Sequence, residues 1–484
     1  MPHLEHTAAD APRLPVHGGL AHRVILHGAS LLLASVLLVA TMLTQIVGLG
    51  GDPIDTDLAV ALGALCSTMF AVRALYSRAE RFLFSPTFWL LVTFLFYFVL
   101  KALDMAGKDS VTPTLIKALW LCTLFLITYG GVYAWTDASL RAREPARALV
   151  RFEAEIPRGA EWTLLVIYAG FKLLGIVLLA SAGGGDALEV AAATQNTGAA
   201  YLYRIPAVGN VVLLALLFNA FKNNRGWTVM ALALAAYLVE AVLSTSRLSL
   251  VMVVLWTAFL YHRYRHPISL GRVALIGVPL VLVVVMFGYA RNIEVGSAAA
   301  YVEAASALAQ EPTLVSDLFL QRLDMLPEMV IALDLHQAGV LPDLHGGSYA
   351  YAFMHSIPRS LWEGKPLLTA ALVTSQTHPG AFADGVNIFP SIIVEGYLNL
   401  ALAGVILSGA LVGFFSRQLE RAIAADRLVP SVWALSMFTF PMALFNEGVH
   451  SNFTGALLYT TALNAVLYQI LLFFGALKRR RFSP

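Results

Sequence analysis

Charged side chains are scarce in this chain. Asp, Glu, Lys and Arg make up 13% of the 484 residues, whereas soluble domains average about 25%. Apolar residues make up 58%, and the mean hydropathy is +0.72. This composition excludes the soluble classes and indicates a polytopic membrane protein. The formal net charge of +2 identifies no partner, because the distribution of charge matters more than its sum.

Cysteine is nearly absent as well. Cys66 and Cys122 each lie inside an apolar run, which favours small buried hydrophobic residues over a disulfide or a metal site. No Cys/His cluster has the spacing of a zinc site, and no glycine-rich loop has the pattern that cradles a phosphate. The sequence also has no internal repeat and no low-complexity tract.

Long apolar runs dominate instead, and runs of about 17–25 residues identify transmembrane helices. The sequence predicts an all-α fold with twelve such spans, at 24–48, 57–76, 82–102, 113–136, 161–182, 206–221, 227–245, 248–262, 272–290, 388–414, 431–447 and 454–476. The predicted segments are a disordered tail (1–23), helices 1–9 (24–290), a large loop (291–387), helices 10–12 (388–477) and a basic tail (478–484). The first run is too long for a signal-peptide core, so we interpret it as an uncleaved span.

Most of the 32 Lys and Arg residues fall on alternate connections between these spans. The positive-inside rule therefore predicts that both termini are cytoplasmic and that the loop 291–387 lies outside. A connection of this length is usually functional or disordered. Within it, residues 313–336 carry apolar side chains at helical spacing, which predicts one or two amphipathic helices on the outer surface.

A small set of cations remains near the loop or at outer span ends. They are Arg204, Arg247, Arg291, Arg322, Arg359 and Lys365. Arginine presents a planar fork that binds phosphate oxygens bidentately, so this set suggests an anion site for a pyrophosphate at the membrane surface. Scattered contacts with lipid headgroups are the alternative.

Two ionisable residues inside predicted spans are candidates for a functional role. Lys172 is near the middle of the fifth span, where a lysine is a functional candidate by default, and an ion pair with Glu240 is the alternative. Glu395 lies a few residues inside the tenth span, where burying a carboxylate costs free energy unless it is paired or protonated. Glu395 therefore suits a general base, and an ion pair with an outer arginine is the alternative. Further outer groups with proton chemistry are His345, His355, His378, Asp384 and His450.

Two stretches of the chain resemble a known family. SIPRSLWEGKP (356–366) lies in the long loop, and PSIIVEGYLNL (390–400) leads back into the membrane. Together they are similar to the Wzy-type oligosaccharide repeat-unit polymerases, which tend to have an IPR-x-x-W-x-x-KP element followed by an acid and a Gly-rich span entry. The matching positions are Ile357, Pro358, Arg359, Trp362, Lys365, Pro366, Glu395, Asn399 and Gly404. STSRLS around Arg247 also looks like the Ser-Arg turn of the family, and the resemblance covers roughly 200–410.

The chain departs from the family pattern at two points. Ala401 stands where we expect a glycine. The Arg-x10-Gly spacing of some members is absent, because Ala215 stands eleven positions after Arg204. Arg359 is likewise followed by Ala370 at that spacing. These departures bear on residue roles rather than on the class.

The resemblance implies a GT-C-like glycosyltransferase of the bacterial inner membrane with a periplasmic active face. It would transfer a growing glycan from undecaprenyl pyrophosphate to a lipid-linked repeat unit, without a metal or other cofactor. A chain-length regulator and a flippase are the implied partners, and nucleic acid is not. The implied catalytic residues are Glu395, His355 and Arg359. The implied pyrophosphate ligands are Arg204, Arg247, Arg291, Arg359 and Lys365. The implied acceptor contacts are Trp362, Asp384 and Asn399.

Three other functions stay open from the sequence. An O-antigen ligase would use the same donor and pass the glycan to lipid A core. A flippase or transporter of the lipid-linked sugar would have an internal repeat and broken helices near the membrane midplane. A structural partner in a polysaccharide complex would not need so many outer arginines. The product also stays open between O-antigen of lipopolysaccharide, capsule and exopolysaccharide.

Overall fold

The structure is a computed structural model, and it describes most of the chain from residue 53 onwards. The described residues are 53–75, 84–107, 111–143, 151–181, 209–243, 247–293, 298–311, 314, 324–354, 357, 361–383, 388, 390–452, 457–458, 460–475 and 477–482. The elements in chain order are α1 (Pro53–Leu75), α2 (Pro86–Ala106), α3 (Pro113–Arg143), β1 (Arg151–Glu155), α4 (Ala160–Ser181), α5 (Gly209–Asn223), α6 (Trp227–Leu243), α7 (Arg247–Tyr264), α8 (Leu270–Ile293), α9 (Ala298–Gln310), α10 (Met325–Gln337), α11 (Gly347–Met354), α12 (Thr369–Thr377), α13 (Pro379–Ala383), α14 (Ile392–Ala424), α15 (Leu428–Ser436), α16 (Phe440–Asn452), α17 (Thr460–Phe473) and β2 (Lys478–Phe482).

Five helical segments among these residues are long and apolar enough to cross a membrane. They are Thr56–Leu75, Pro86–Ala106, Pro113–Ser139, Ile392–Ala424 and Leu428–Asn446. Four shorter apolar helices accompany them, at Gly209–Asn223, Trp227–Ala241, Leu250–Tyr264 and Thr460–Phe473. The chain therefore has the architecture of a helical membrane protein. Helices cover most of each predicted span from 57–76 onwards, and the predicted span 24–48 lies outside the described residues.

α14 is a helical hairpin, whereas the apolar run predicts one continuous span over 388–414. The backbone leaves the helical region at Leu400 (φ −143°, ψ 27°) and Ala401 (φ 48°, ψ −132°). These two residues divide α14 into a first arm (392–399) and a second arm (402–424). Hydropathy misses this reversal because it measures how apolar a segment is and carries no information about the direction of the chain.

Contacts across the turn show that the two arms run antiparallel. Ser408 Oγ donates a hydrogen bond to the Ile392 carbonyl oxygen at 3.3 Å. Nearer the turn, Gly396 and Gly404 touch through their backbones, and a Cβ added to Gly396 would lie 2.6 Å from the Gly404 carbonyl oxygen. The arms approach this closely only because both positions are glycine. Nearly every residue of the first arm is buried, so protein encloses it on all sides.

The second arm of α14 packs tightly along α3. A Cβ added to Gly409 would lie 2.5 Å from the Phe125 carbonyl oxygen, and one added to Gly413 would lie 2.5 Å from that of Tyr129. The four-residue spacing of the glycines places both on one helix face, which allows the close approach that small-xxx-small pairs give in membranes. The later glycine contacts the later residue of α3, so α3 and the second arm run parallel.

Aromatic rings fill the space between α2, α3 and α16. The ring centroids of Phe94 and Phe98 are 5.0 Å apart, and Phe445 lies 5.1 Å from Phe94 and 5.4 Å from Phe125. These tilted and stacked contacts stabilise a buried core beyond the burial of apolar area alone. The cluster holds α16 beside α3, which positions the residues of the candidate site described below.

One end of the helix bundle, here called the basic end, brings together segments that the sequence predicts to be cytoplasmic. Lys222 Nζ donates to the Asp426 carbonyl oxygen at 2.5 Å, and Arg263 Nη2 lies 3.5 Å from Asp426 Oδ1. β1 also pairs with β2 in an antiparallel sheet, with Glu155 opposite Lys478. The connections after α3, α5, α7 and α14 therefore meet on one side together with the residues 478–482.

The opposite end, here called the loop end, is where the long loop contacts the bundle. Lys101 Nζ lies 2.9 Å from Asp324 Oδ1, and Thr114 Oγ1 donates to Asp334 Oδ1 at 2.5 Å. α3 begins beside these contacts and ends before β1, a distance of about 45 Å for 31 residues at about 1.5 Å each. α7 ends and α8 begins at the basic end, so Arg247 and Arg291 lie towards the loop end.

Candidate functional site

The Glu395 carboxylate is the centre of a buried polar cluster. Its side chain is 2% exposed. Oε1 accepts hydrogen bonds from Ser348 Oγ at 2.7 Å and from the His450 backbone N–H at 3.1 Å, with Thr369 Oγ1 at 3.4 Å. Oε2 accepts a hydrogen bond from the Val449 backbone N–H at 2.5 Å. We call Glu395, Ser348, Thr369, Asn399 and the two backbone N–H groups the Glu395 site.

Four elements converge on this carboxylate. It projects from the first arm of α14, while α11 contributes Ser348, α12 contributes Thr369, and α16 contributes the two backbone donors. α16 can approach only because it is interrupted at Gly448 (φ 83°, ψ 177°), a conformation that favours glycine. A Cβ at Gly448 would overlap Glu395 Oε2 and lie 2.9 Å from Glu395 Cδ.

Asn399 orients the hydroxyl that faces the carboxylate. Its Nδ2 donates to Ser348 Oγ at 2.7 Å and to the Glu395 carbonyl oxygen at 2.7 Å, and its Oδ1 accepts from the Ser348 backbone N–H at 3.2 Å. The Ser348 hydroxyl oxygen accepts the hydrogen bond from Asn399. Its single hydrogen is therefore free to be donated to Glu395. Asn399 and Ser348 therefore act together to hold the carboxylate in one position.

An aromatic series leads from this cluster to the outer loop. The His450 ring centroid lies 6.1 Å from that of Tyr351, and the Tyr351 ring lies 6.1 Å from Trp362 in an edge-on arrangement. On the other side of the cluster, the Tyr349 hydroxyl lies 3.4 Å from Ser408 Oγ. Burial, reinforced by the nearby Glu395 charge, raises the pKa of Tyr349, so its hydroxyl stays protonated at neutral pH.

The electrostatic character of the Glu395 site follows from its donors. All of the described donors to the carboxylate are hydroxyl or backbone groups, which are neutral. Neutral donors hold a carboxylate in place without neutralising it, and this differs from an ion pair with arginine. A charge in such a low-dielectric setting interacts strongly with any proton or cation that approaches it. The Glu395 carboxylate therefore has the chemical capacity to accept a proton.

The structure brings some of the predicted site residues together and leaves others outside the described part of the chain. Glu395 and Asn399 share the cluster, and Trp362 is linked to it through Tyr351 and His450. Lys365 Nζ donates to the Ile357 carbonyl oxygen at 2.9 Å, within the loop. Arg247 and Arg291 have a described backbone in α7 and α8 but no described side chain. The residues outside the described part are Arg204, Arg322, His355, Arg359 and Asp384.

Two other sequence candidates have ordinary structural partners. Lys172 Nζ lies 2.7 Å from Glu240 Oε2 and donates to Asn210 Oδ1 at 2.9 Å, so the alternative of an ion pair is what the structure contains. His378 Nε2 lies 2.9 Å from Glu328 Oε2, which joins α12 to α10. Both contacts tie neighbouring elements to each other.

Several residues of the Glu395 site and one further network have no clear signal in the sequence. Ser348 and Thr369 are ordinary hydroxyl residues, and the one signal for Gly448 is that NEGVHSN (446–452) is a polar interruption between two apolar runs. Near the basic end, Glu420 accepts hydrogen bonds from Tyr133 Oη and from Thr87 Oγ1, the latter at 3.1 Å. In the same region Arg417 pairs with Asp137.

No protein-family model, curated protein sequence or solved structure matches this chain. Among the described residues, no group of three or more His, Cys, Asp or Glu side chains lies close enough to hold a metal ion. The features of the chain that bear on function are the geometry of the Glu395 site and the residues 356–366 and 390–400.

Proposed function

We propose that the chain is a Wzy-type oligosaccharide repeat-unit polymerase with a GT-C-like bundle of twelve transmembrane helices. It transfers a growing glycan from undecaprenyl pyrophosphate to a repeat unit on the same carrier. The acceptor hydroxyl oxygen forms a bond to the anomeric carbon of the donor, the bond from that carbon to the pyrophosphate breaks, and undecaprenyl pyrophosphate leaves. The acceptor proton passes to a base of the protein. The reaction takes place on the periplasmic face of the inner membrane, and both termini are cytoplasmic.

The observation that carries this proposal is the buried Glu395 carboxylate. The side chain has neutral donors on both oxygens, and Oε2 accepts one described hydrogen bond, which leaves a lone pair for a proton. Because Glu395 is 2% exposed, the acceptor hydroxyl reaches this lone pair when the residues that cover it move. A positioned general base of this kind contributes typically about 10²–10⁴-fold to a rate. The hydrogen bonds from Ser348 and the Val449 N–H fix the carboxylate, so it needs no reorganisation when the proton arrives.

The direction of the helices supports an anion site at the same end of the bundle as this base. Arg247 is the first residue of α7, and Arg291 is near the end of α8, so both lie away from the basic end. Their positions fit the pyrophosphate-binding role that the resemblance implies. Arginine forks can stabilise the charge that develops on the leaving pyrophosphate. Trp362, at the outer end of the aromatic series, fits a contact with a sugar face.

The contacts at the two ends of the bundle support the proposed orientation. Segments that the positive-inside rule assigns to the cytoplasm meet at Asp426 and in the sheet of β1 and β2. Segments assigned to the outside meet at Asp324 and Asp334. None of these contacts joins a segment predicted to be inside to a segment predicted to be outside. This separation is expected if each predicted span crosses the membrane once.

Replacement of Glu395 by Gln tests the proposed chemistry. The amide keeps the size of the carboxylate and loses its ability to take a proton, so we expect at least about a 100-fold slower chain growth. The assay follows the chain length formed from purified lipid-linked repeat units by the purified protein in liposomes. Glu311→Gln, on the same loop and exposed, is the matched control and should leave the rate unchanged.

The products distinguish this proposal from a ligase. A polymerase that has lost activity leaves single repeats, whereas a ligase that has lost activity leaves long chains on the carrier. Wild-type protein that forms no chain from lipid-linked repeats alone, and that transfers preformed chains to lipid A core, would overturn the polymerase assignment. Full-length polymer from E395Q would overturn the role of Glu395.

A transporter of the lipid-linked sugar is the second candidate, because α14 and α16 are both interrupted. Transporters bind substrates at broken helices near the midplane. The break in α14 lies at the start of its second arm, however, and the 23 residues of 402–424 span about 34 Å by themselves. The break therefore lies at one end of a helix that is long enough to cross the membrane by itself. Movement of labelled repeat units across liposomes without chain growth would favour the transporter.

A further inference from the structure

A large apolar groove opens at the basic end of the bundle, far from the Glu395 site. It has a volume of about 730 Å³ and lies between the second arm of α14, α15 and the residues leading into α17. Its walls include Phe415, Trp433 and the exposed Leu458. Sites for small ligands typically enclose about 300–1,000 Å³, so the groove is large enough for a ligand.

The one charged side chain and the one amide side chain among the described residues of the groove lie near the end of α14. Arg421 and Gln418 line it on successive turns of α14, and Arg421 lies three residues before the helix ends. From Ala425 to Phe415 the groove follows ten residues of helix, or roughly 15 Å. This is about half of the roughly 30 Å hydrocarbon thickness of a bilayer, which is the depth of one leaflet.

Arg421 differs from Arg417 and Arg263 in its partners. Arg417 pairs with Asp137, and Arg263 lies 3.5 Å from Asp426. Within the part of the chain that the structure describes, no acidic side chain forms an ion pair with Arg421. A half-buried guanidinium at the rim of an apolar groove is complementary to an anion that carries a hydrocarbon chain.

A second apolar groove adjoins the first. It has a volume of about 380 Å³ and shares Trp433, Thr461 and Ala465 with it. Trp433 Nε1 donates to Thr461 Oγ1 at 3.2 Å, so this hydrogen-bonded pair forms a partition between the two grooves. Two apolar channels on either side of a narrow partition match a molecule with two chains joined at one headgroup.

We propose that these paired grooves bind an anionic glycerophospholipid, with its phosphate on Arg421 and Gln418 and its two acyl chains on either side of Trp433. The site is independent of the proposed glycosyl transfer, because it lies on the basic end and shares no residue with the Glu395 site. It makes the protein sensitive to the lipid composition of the leaflet at that end. A polyisoprenyl phosphate has one chain and would leave the second groove unfilled.

The test measures lipid bound to the full-length chain. Detergent-purified protein is mixed with equal amounts of phosphatidylglycerol and phosphatidylethanolamine, and bound lipid is counted by native mass spectrometry. We expect phosphatidylglycerol to be preferred. Arg421→Ala should lower its retention roughly five-fold, the factor that corresponds to about 1 kcal/mol for one cation near a charged surface. Arg272→Ala, an exposed cation at the same end, should leave retention unchanged.

Two controls test whether the charge of Arg421 causes the preference. Arg421→Lys keeps the charge and should retain most of the preference for phosphatidylglycerol. An unchanged melting temperature of R421A should show that its fold is intact.

The number of acyl chains is tested separately. Lysophosphatidylglycerol, with one chain, should bind more weakly than the diacyl lipid, and Trp433→Ala should reduce that difference. Equal retention by R421A and wild type would overturn the proposal. Displacement of the diacyl lipid by undecaprenyl phosphate would assign the grooves to the carrier instead and would also overturn it.

Discussion

Gly448 packs directly against the Glu395 carboxylate. Its backbone (φ 83°, ψ 177°) breaks α16 and points the next two N–H groups, of Val449 and His450, at the carboxylate oxygens. The absence of a side chain leaves the space that Oε2 occupies. One glycine therefore provides both the conformation and the room for a buried charge.

Replacing Gly448 by Ala should destabilise the protein and impair the Glu395 site together. The added Cβ forces the carboxylate or α16 to move, at about 1–3 kcal/mol beyond the cost of the backbone conformation. Gly339→Ala is the matched control, because Gly339 also has a positive φ (74°) but open space around its Cβ position. Thermal unfolding in detergent measures both, and we expect the control to lose only about 1–2 kcal/mol. Equal losses for the two variants would contradict the contact with Glu395.

At this scale the sequence identifies the charge but not its partners. Glu395 stands out because a carboxylate in an apolar run is rare. Ser348 and Thr369 are common hydroxyl residues, and they reach Glu395 from 47 and 26 positions away. Their role depends on how the loop packs against the first arm of α14, which no local pattern records.

The hairpin of α14 is the element on which the site depends. Its first arm holds Glu395 and Asn399 inside the protein, and its second arm crosses the bundle along α3. The turn places Ala401 at φ 48° and ψ −132°, a conformation in which a Cβ is strained. Glycine would adopt this conformation without strain, whereas this chain has alanine here.

Ala401→Gly should stabilise the hairpin by about 1 kcal/mol. Relief of the positive φ stabilises the folded state by more free energy than the added entropy of glycine stabilises the unfolded chain. Ala403→Gly, exposed on the helical second arm, is the matched control and should cost about 1 kcal/mol. The fraction of monodisperse protein after heating reports both changes. A destabilising A401G would contradict the turn geometry.

The positions of most long helices follow from apolar runs, but the hairpin does not. Hydropathy treats a buried arm and a lipid-facing helix alike, because both are apolar. The same pattern hides the interruption of α16, since Gly448 is one glycine among 36 in the chain. Breaks of this kind become visible only through contacts between segments, such as that of Ser408 with Ile392.

At the scale of the whole molecule, charge separates the two ends of the bundle. Cations of three connections gather around Asp426 and the sheet of β1 and β2, whereas the long loop meets the opposite end. The sequence predicts this separation because the Lys and Arg bias acts on all connections at once. It does not predict which helices are neighbours, since that depends on packing.

Labelling of single cysteines tests the orientation. Glu363→Cys, at the loop end, should react with an impermeant thiol reagent added outside intact cells, whereas Arg272→Cys should react only after the membrane is opened. Both positions are exposed. The native Cys66 and Cys122 are buried and should give little background. The reverse pattern would invert the proposed topology and move the Glu395 site to the cytoplasmic face.

The hairpin also constrains how the chain enters the bilayer during synthesis. The eight residues of its first arm extend only about 12 Å and include Glu395 and Asn399, so the arm is too short and too polar to partition into lipid by itself. We therefore expect it to leave the insertion channel together with its second arm, as one hairpin. α11 and α16 must then close over it to supply the missing donors. Substitutions in α11 should therefore lower the amount of protein that survives cellular quality control, even when they lie on the face away from Glu395.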